Sequence, residues 1–266
     1  MVFIWVISRL YVKLKEIAKE KHLKFALMTF TPHPSEVIRP SNKDFPYLIT
    51  PYDKVIKMAS LGVEQLYIVK FDLQSSRLSP QEFVKQYLIG LHCKHVVAGF
   101  DYTYGYKGAG NITQLAYDYQ DEFEVTTVVK VELNNQKISS TLIRSLITSG
   151  NVDLVPDYLG HYYEIYGQVL STNNRKDDSD STICLITNCL LPKPGVYTIT
   201  AEINSQTYEG ICQEILTFDC HYMLVLQLVN CPLCDDSTSI KVKWIRLELE
   251  LPLASYIPSE LMPASL

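Results

Sequence analysis

His95-Val96-Val97-Ala98-Gly99-Phe100-Asp101 decides the fold of this chain. The apolar run through Ala98 reads as a buried strand, and the glycine that ends it leads straight to an aromatic ring and a carboxylate. Working outward, the same alternation recurs. Residues 25–30 form a short apolar run stopped by Thr31-Pro32-His33-Pro34, and residues 65–71 form another strand. Val6, Leu10, Leu14 and Ile17 recur at helical spacing, which predicts an amphipathic helix over residues 5–21. Pro51 opens a helix that closes before Gly62, and Ser79-Pro80-Gln81-Glu82 is a capping-box start. Residues 113–119 read as helix, 124–133 as strand, and 140–148 as a helix closed by Gly150. Strands alternating with helices predict a parallel sheet, an α/β layer architecture. In such sheets ligands bind at the carboxyl ends of the strands.

The pattern changes after Gly160. Residues 163–170, 182–186, 195–203, 207–212, 223–229 and 240–249 read as strands. Turn signals separate them: Asn173 to Asp178, Pro192 to Gly195, and Asp235-Asp236-Ser237. This half is predicted to be a small all-β barrel. The boundary is placed near residues 157–162, giving domains 1–158 and 159–266.

The chain has 266 residues, 47% of them hydrophobic, enough for one large or two modest cores. Its net charge of −5 argues against nucleic acid as a partner. An acidic protein that binds a nucleotide needs local cations, backbone donors and Mg²⁺. The apolar opening, residues 1–8, is too short for a membrane span, and its basic residues follow rather than precede it. The seven cysteines are scattered. Cys231 and Cys234 form a lone C-x-x-C that can be drawn with Cys220 and His221 as a zinc site, but the spacing favours reduced, mostly buried strand cysteines of a cytoplasmic protein.

Three polar-tipped segments carry the chemistry. Ile138-Ser139-Ser140-Thr141-Leu142-Ile143-Arg144 places three hydroxyls where a strand gives way to a helix, and a guanidinium one turn on. Such a helix start holds phosphate through free N–H groups; alternatively it is a capping box followed by an exposed arginine. Gly99-Phe100-Asp101 offers close backbone approach and a carboxylate for a ribose hydroxyl, with Gly105, Gly108 and Gly110 loosening the next loop and Lys107 able to face phosphate. The alternative there is a glycine turn with a solvated aspartate. Pro32-His33-Pro34 beside Phe30 suits the wall of a flat aromatic ligand, while His33 itself is expected to satisfy a loop carbonyl.

In this order the segments resemble the bacterial bifunctional riboflavin kinase/FAD synthetase family over roughly residues 10–170. The pattern T-F-x-P-H-P stands at Thr29 to Pro34. V-G-x-D-F-x-F-G-x-x-x-x-G stands at Ala98 to Gly110, with Ala98 for Val and Tyr102 and Tyr104 for Phe. I-S-S-T-x-I-R is intact at Ile138 to Arg144. The link Gly150-Asn151-Val152 and Leu159-Gly160 also matches. The resemblance implies a Rossmann-like nucleotidyltransferase domain that transfers AMP from ATP to FMN, with Mg²⁺ accompanying ATP, giving FAD and pyrophosphate. By position, Ser140, Thr141 and Arg144 would be its catalytic, phosphate-holding set. Gly99, Asp101, Gly105 and Ser139 would bind the nucleotide, and Phe30, Pro32 and His33 would border the flavin.

Two departures shape the expectation. The family's first strand ends in G-x-F-D-G-x-H-x-G-H; here Val6-Ile7 aligns just after it, and no histidine precedes that point. Losing one preorganised donor costs ~10²–10³ in rate, so a poor or inactive FAD synthetase is expected, or a flavin- and nucleotide-binding protein without turnover. A sheet without that strand would have unpaired backbone, which residues 1–7 would partly fill unless they only extend the helix. In the second half, Tyr163 to Val169 and Gly195-Val196-Tyr197 resemble kinase-module strands, but the kinase's G-F-P-T-A-N is replaced near residues 178–188. That predicts a barrel without riboflavin kinase activity, in which Glu202, Glu209 and Glu214 sit on solvated faces and turns.

Overall fold

The computed structural model describes residues 5–38, 46–129, 132–133, 136–174, 181–218, 221–236 and 238–250. Two compact units emerge: residues 1–45 with 51–142, and residues 46–50 with 143–266.

The first unit is α/β. Helix α1 (Trp5–Glu20) buries Tyr11, Ile17 and Ala18; of the predicted stripe Ile17 is buried and Leu14 partly buried, and the side chains of Val6 and Leu10 lie outside what the structure describes. Tyr11 stands edge-on to Phe25 at 4.8 Å, with Leu14, Leu27, Leu61 and Val63 around them. Residues 5–7 belong to this helix, and Met1 to Ile4 lie outside the described residues. Strand β1 (Ala26–Thr31) runs into the short helix α2 (Pro34–Ile38). Helix α3 (Pro51–Ser60) ends before Gly62, whose φ of 81° is one that side chains rarely adopt. Strand β2 (Gln65–Lys70) pairs with β1 in parallel, Ala26 opposite Gln65.

Helix α4 (Pro80–Phe83) continues as a wider π-helical stretch over Val84–Ile89. Its capping box is complete: Glu82 N donates to Ser79 Oγ at 3.2 Å, and Ser79 N donates to Glu82 Oε2 at 2.8 Å. Strand β3 (His95–Gly99) is followed by a small hairpin, β4 (Thr103–Tyr104) and β5 (Gly110–Asn111), and by helix α5 (Ile112–Asp118). Strand β6 (Glu124–Val128) lies parallel to β3. The strand predicted over 124–133 is in fact two elements. Glu132–Leu133 (β7) pairs antiparallel with Gln136–Lys137 (β8), with Leu133 opposite Gln136.

Among the described residues the parallel strands form two two-stranded sheets, β1–β2 and β3–β6. They share one core, since Phe83, Val84, Ala98 and Leu115 are buried in a cluster against which Met28, Phe30, Val96 and Val125 pack.

His95 begins β3. Its Nε2 lies 2.8 Å from Thr126 Oγ1, and its Nδ1 3.6 Å from Glu124 Oε2. Burial draws the imidazole below its ordinary 6.5; Glu124 opposes this and Lys21 reinforces it. The folded state therefore prefers the neutral ring. Its contribution is complete above pH 6.5 and declines as pH falls from there through the lower folded value. Urea midpoints measured across this range should fall more steeply for the parent than for His95→Gln; equal slopes would remove the assignment.

Helix α6 (Ser140–Thr148) spans the division between the units and ends at Gly150, φ 83°. In the second unit, helix α7 (Val155–Leu159) is closed by left-handed Gly160. Six strands follow: β9 (Tyr163–Asn174), β10 (Ser181–Thr187), β11 (Gly195–Ile203), β12 (Gln206–Phe218), β13 (His221–Leu228) and β14 (Ser239–Glu250). They close an antiparallel barrel in the order β10-β13-β12-β11-β14-β9. Strict alternation along β11 sends Tyr197, Ile199 and Ala201 inward. Bulges at Val196/Tyr197 and Thr198/Ile199 shift its pairing with β14, giving the local bend that closure needs. Glu202 is half-buried and pairs with Lys241, and Glu209 is exposed. The Glu214 side chain, Arg175 to Asp180 of the predicted turn and substituted kinase segment, Ser237 and Cys220 lie outside what the structure describes.

Candidate functional site

The carboxyl end of β1 carries the expected flavin wall. Phe30 is held by aromatic neighbours: Phe71 edge-on at 5.7 Å, Tyr87 edge-on at 6.1 Å and Phe83 tilted at 6.3 Å. Pro32 is exposed. His33 immediately precedes α2, where Glu36 N donates to His33 O at 2.9 Å and His33 N donates to Glu36 Oε1 at 2.9 Å. Ser35 N donates to His33 Nδ1 at 3.2 Å. The ring thus accepts a backbone N–H at Nδ1, which leaves Nε2 as the N–H. One residue the sequence reading missed lies nearby. Lys54 Nζ on α3 donates to buried Thr29 Oγ1 at 3.0 Å, and burial lowers its ammonium pKa.

The carboxyl end of β3 closes in a turn, with Tyr102 N donating to Gly99 O at 3.0 Å. Phe100 and Asp101 are exposed at its tip. A Cβ on Gly99 would meet Asp101 Oδ1 at 3.2 Å, so the glycine leaves room for that carboxylate to fold back. Gly105 has a different role from loosening the loop. At φ 73° it presses on α4, where a Cβ would lie 2.7 Å from Pro80 N, and Tyr106 N donates to Leu78 O at 2.6 Å. Lys107 Nζ stands 5.2 Å from the Tyr106 ring centre. Tyr102 and Tyr104 stack at 5.9 Å, and burial pushes the Tyr104 phenol up to about 12.

Beside this turn opens a concavity of about 620 Å³, lined by Phe100, Asn111, Ile112, Thr113, Gln114 and Tyr117. Asn111 caps α5 by accepting from Gln114 N at 2.9 Å. The sequence reading placed a helix here without marking its polar face; Asn111 followed by Thr113, Gln114 and Tyr117 at helical spacing was the available signal.

At the start of α6, Leu142 N donates to Ser139 Oγ at 3.2 Å. Ser139 is therefore the N-cap, and with leucine at the third helical position there is no capping box. Ser140 is half-buried and Thr141 exposed. Arg144 is not the exposed arginine of the alternative reading. It is half-buried, and its Nη1 donates to Pro46 O at 2.7 Å. Burial lowers its pKa, opposed by Tyr163.

The first unit thus gathers Phe30 and the residues flanking Gly99 (Ala98, Tyr102 and Tyr104) onto one core. Ser139, Ser140 and Thr141 fall within the first unit and Arg144 in the second. Among the described residues, no three histidine, cysteine or acidic side chains gather as a metal cage, and no helix is long and apolar enough to cross a membrane.

Comparison with known proteins bears on the same segments. The FAD synthetase family model matches residues 8–142. The bifunctional riboflavin kinase/FMN adenylyltransferases of Listeria monocytogenes and Bacillus subtilis are 44% and 40% identical, over 74% of this chain and 64% of their own length. The chain thus spans somewhat under two thirds of these relatives. A FAD synthetase of Listeria monocytogenes is 30% identical over 73% of the chain and 76% of its own length. A solved structure titled a macrolide-efflux protein from Streptococcus pneumoniae superposes with a TM-score of 0.81 at 27% identity, covering 98% of this chain and 87% of that one. With its family model spanning residues 8–142 and an α/β unit followed by a closed barrel, the chain belongs to the FAD synthetase family.

Proposed function

We propose that the chain binds ATP and FMN and carries the FMN adenylyltransferase reaction. An FMN phosphate oxygen attacks the α-phosphorus of ATP, the bond to the departing pyrophosphate breaks, and FAD forms. The observation that carries this reading is the start of α6, where Ser139 caps and Ser140 and Thr141 occupy the first turn. Free N–H groups and a positive dipole end there suit a phosphate, and the hydroxyls add donors. Arg144, one turn along, supplies a guanidinium to the same anion. Gly99, Asp101 and Gly105 shape the nucleotide-binding loop. Pro32 and His33 border the flavin, with Phe30 as a wall held rigid by Phe71, Phe83 and Tyr87. Catalysis is then positioning and charge neutralisation, with no covalent enzyme intermediate. Mg²⁺ comes as part of the ATP complex, because it is commonly held by substrate phosphates plus one or two carboxylates. In domain terms, residues 1–158 carry the adenylyltransferase and 159–266 a kinase-like barrel without kinase chemistry.

A second reading is that the chain binds both substrates without turnover. Incubating the chain with FMN, ATP and Mg²⁺ separates the two. FAD formation at a rate typical of an enzyme supports the first, and binding of both substrates without FAD supports the second. Failure to bind either removes both. Riboflavin with ATP should yield no FMN, and detectable FMN would contradict the barrel assignment.

A further inference from the structure

The loop between β13 and β14 holds Cys231-Pro232-Leu233-Cys234, which the proposed chemistry leaves unused. Both residues are free thiols. Cys231 is 2% exposed, and Cys234 is half-buried. Their sulfurs converge on one acceptor: Sγ of Cys231 lies 3.4 Å and Sγ of Cys234 3.7 Å from Pro232 O. The two thiols are close enough for each to perturb the ionisation of the other. The backbone on both sides is fastened. Ser181 Oγ of β10 donates to Cys231 O, and Thr172 Oγ1 of β9 donates to Cys234 O at 3.0 Å. Two thiols are thus held against each other on a loop anchored to two barrel strands.

We propose that Cys231 and Cys234 are a thiol–disulfide pair that closes to an intrachain disulfide in the presence of a low-molecular-weight disulfide. With oxidised glutathione, the Cys234 thiolate attacks one sulfur, the glutathione S–S bond breaks, and one glutathione leaves as the thiolate. Cys231 then loses its proton and attacks the Cys234 sulfur, releasing the second glutathione. Two protein thiols are oxidised to one disulfide, one oxidised glutathione is reduced to two thiols, and the two protons end on the glutathiones. Cys234 attacks first because it is the more exposed of the two. Closure is favoured over a lasting mixed disulfide because the second thiol is already in place, an intramolecular advantage.

The pair is a sensor and not an oxidoreductase centre. It sits on the loop between β13 and β14, after a strand and not at the helix N-terminus that commonly activates catalytic thiols. Burial raises both thiols, Cys231 to about 12, so exchange is slow at neutral pH. Zinc would require further ligands, and no such cluster exists among the described residues.

The test is equilibration of the full chain in reduced and oxidised glutathione mixtures, followed by acid quenching, alkylation and peptide mass mapping. In the oxidising mixtures the segment containing Cys231 and Cys234 should lose two hydrogens and escape alkylation, and dithiothreitol should restore both thiols. Cys231→Ala should stall as a glutathione adduct on Cys234, whereas Cys234→Ser should give neither product. Full alkylation of both thiols at equilibrium, a persistent adduct on the parent, or pairing of either with another cysteine would overturn the proposal.

Discussion

Trp244→Ala unfolds the barrel at a much lower urea concentration than the parent, a loss of about 3–5 kcal/mol. Trp244 is fully buried in β14, opposite Ile199 on β11 and Tyr163 on β9. Its ring stands edge-on to Tyr197 at 5.1 Å, and Tyr197 is also fully buried. Truncation removes the largest side chain of a closed interior whose strands cannot move together without breaking register. Against a typical domain stability of about 5–15 kcal/mol, that loss is a large fraction. Trp244→Phe behaves differently. The indole Nε1 is buried with no hydrogen-bond partner among the described residues, and an unsatisfied buried donor costs about 1–3 kcal/mol. Phenylalanine removes that donor while leaving a smaller void. The two effects oppose each other, so the Phe variant should remain within about 1.5 kcal/mol of the parent, the range of well-tolerated core swaps. Far-UV circular dichroism across a urea series reads both. An Ala variant with the parent's midpoint would show that the ring does not organise the barrel.

Arg144→Ala should weaken Mg²⁺–ATP binding about ten- to a hundredfold, the equivalent of one charged hydrogen-bonding group at about 1.5–3 kcal/mol. The same side chain ties α6 to Pro46 O at 2.7 Å. The substitution therefore also leaves a carbonyl without that donor, and stability without ligand should fall. Thr141→Ala separates the two effects. Thr141 is exposed, and a surface substitution of this kind changes stability by about 0.5 kcal/mol or less, so a loss of ATP affinity there reports the phosphate role alone. Calorimetric titration with ATP beside thermal unfolding without ligand gives both quantities. If Arg144→Ala and Thr141→Ala bind ATP as the parent does, the helix start holds no phosphate.

Local signals located most elements. Gly195 after its proline turn, the Ser79 cap with Glu82, and Gly62 and Gly150 after their helices each act within a few residues, and the structure places strand or helix boundaries there. The reading failed where the partner is distant in sequence or the turn overrides the run. The segment over 124–133 looked continuous, yet β7 turns back onto β8. Gly105 looked like loop slack, yet Pro80 needs its missing side chain. Lys54 gave no signal because its relation to Thr29 depends on how α3 crosses β1.

For this protein, short-range order was written in the chain itself: the αβ alternation, the six barrel strands, and the three motifs at strand and helix ends. These rest on backbone sterics, caps and periodicity, which need no knowledge of distant residues. The tertiary structure alone decided what those motifs touch. Arg144 grips a carbonyl 98 residues away, Phe30 is locked in an aromatic cluster, and two thiols meet on a loop pinned by β9 and β10. Such partners are chosen by the packing of whole elements, and no local stretch of sequence encodes that geometry.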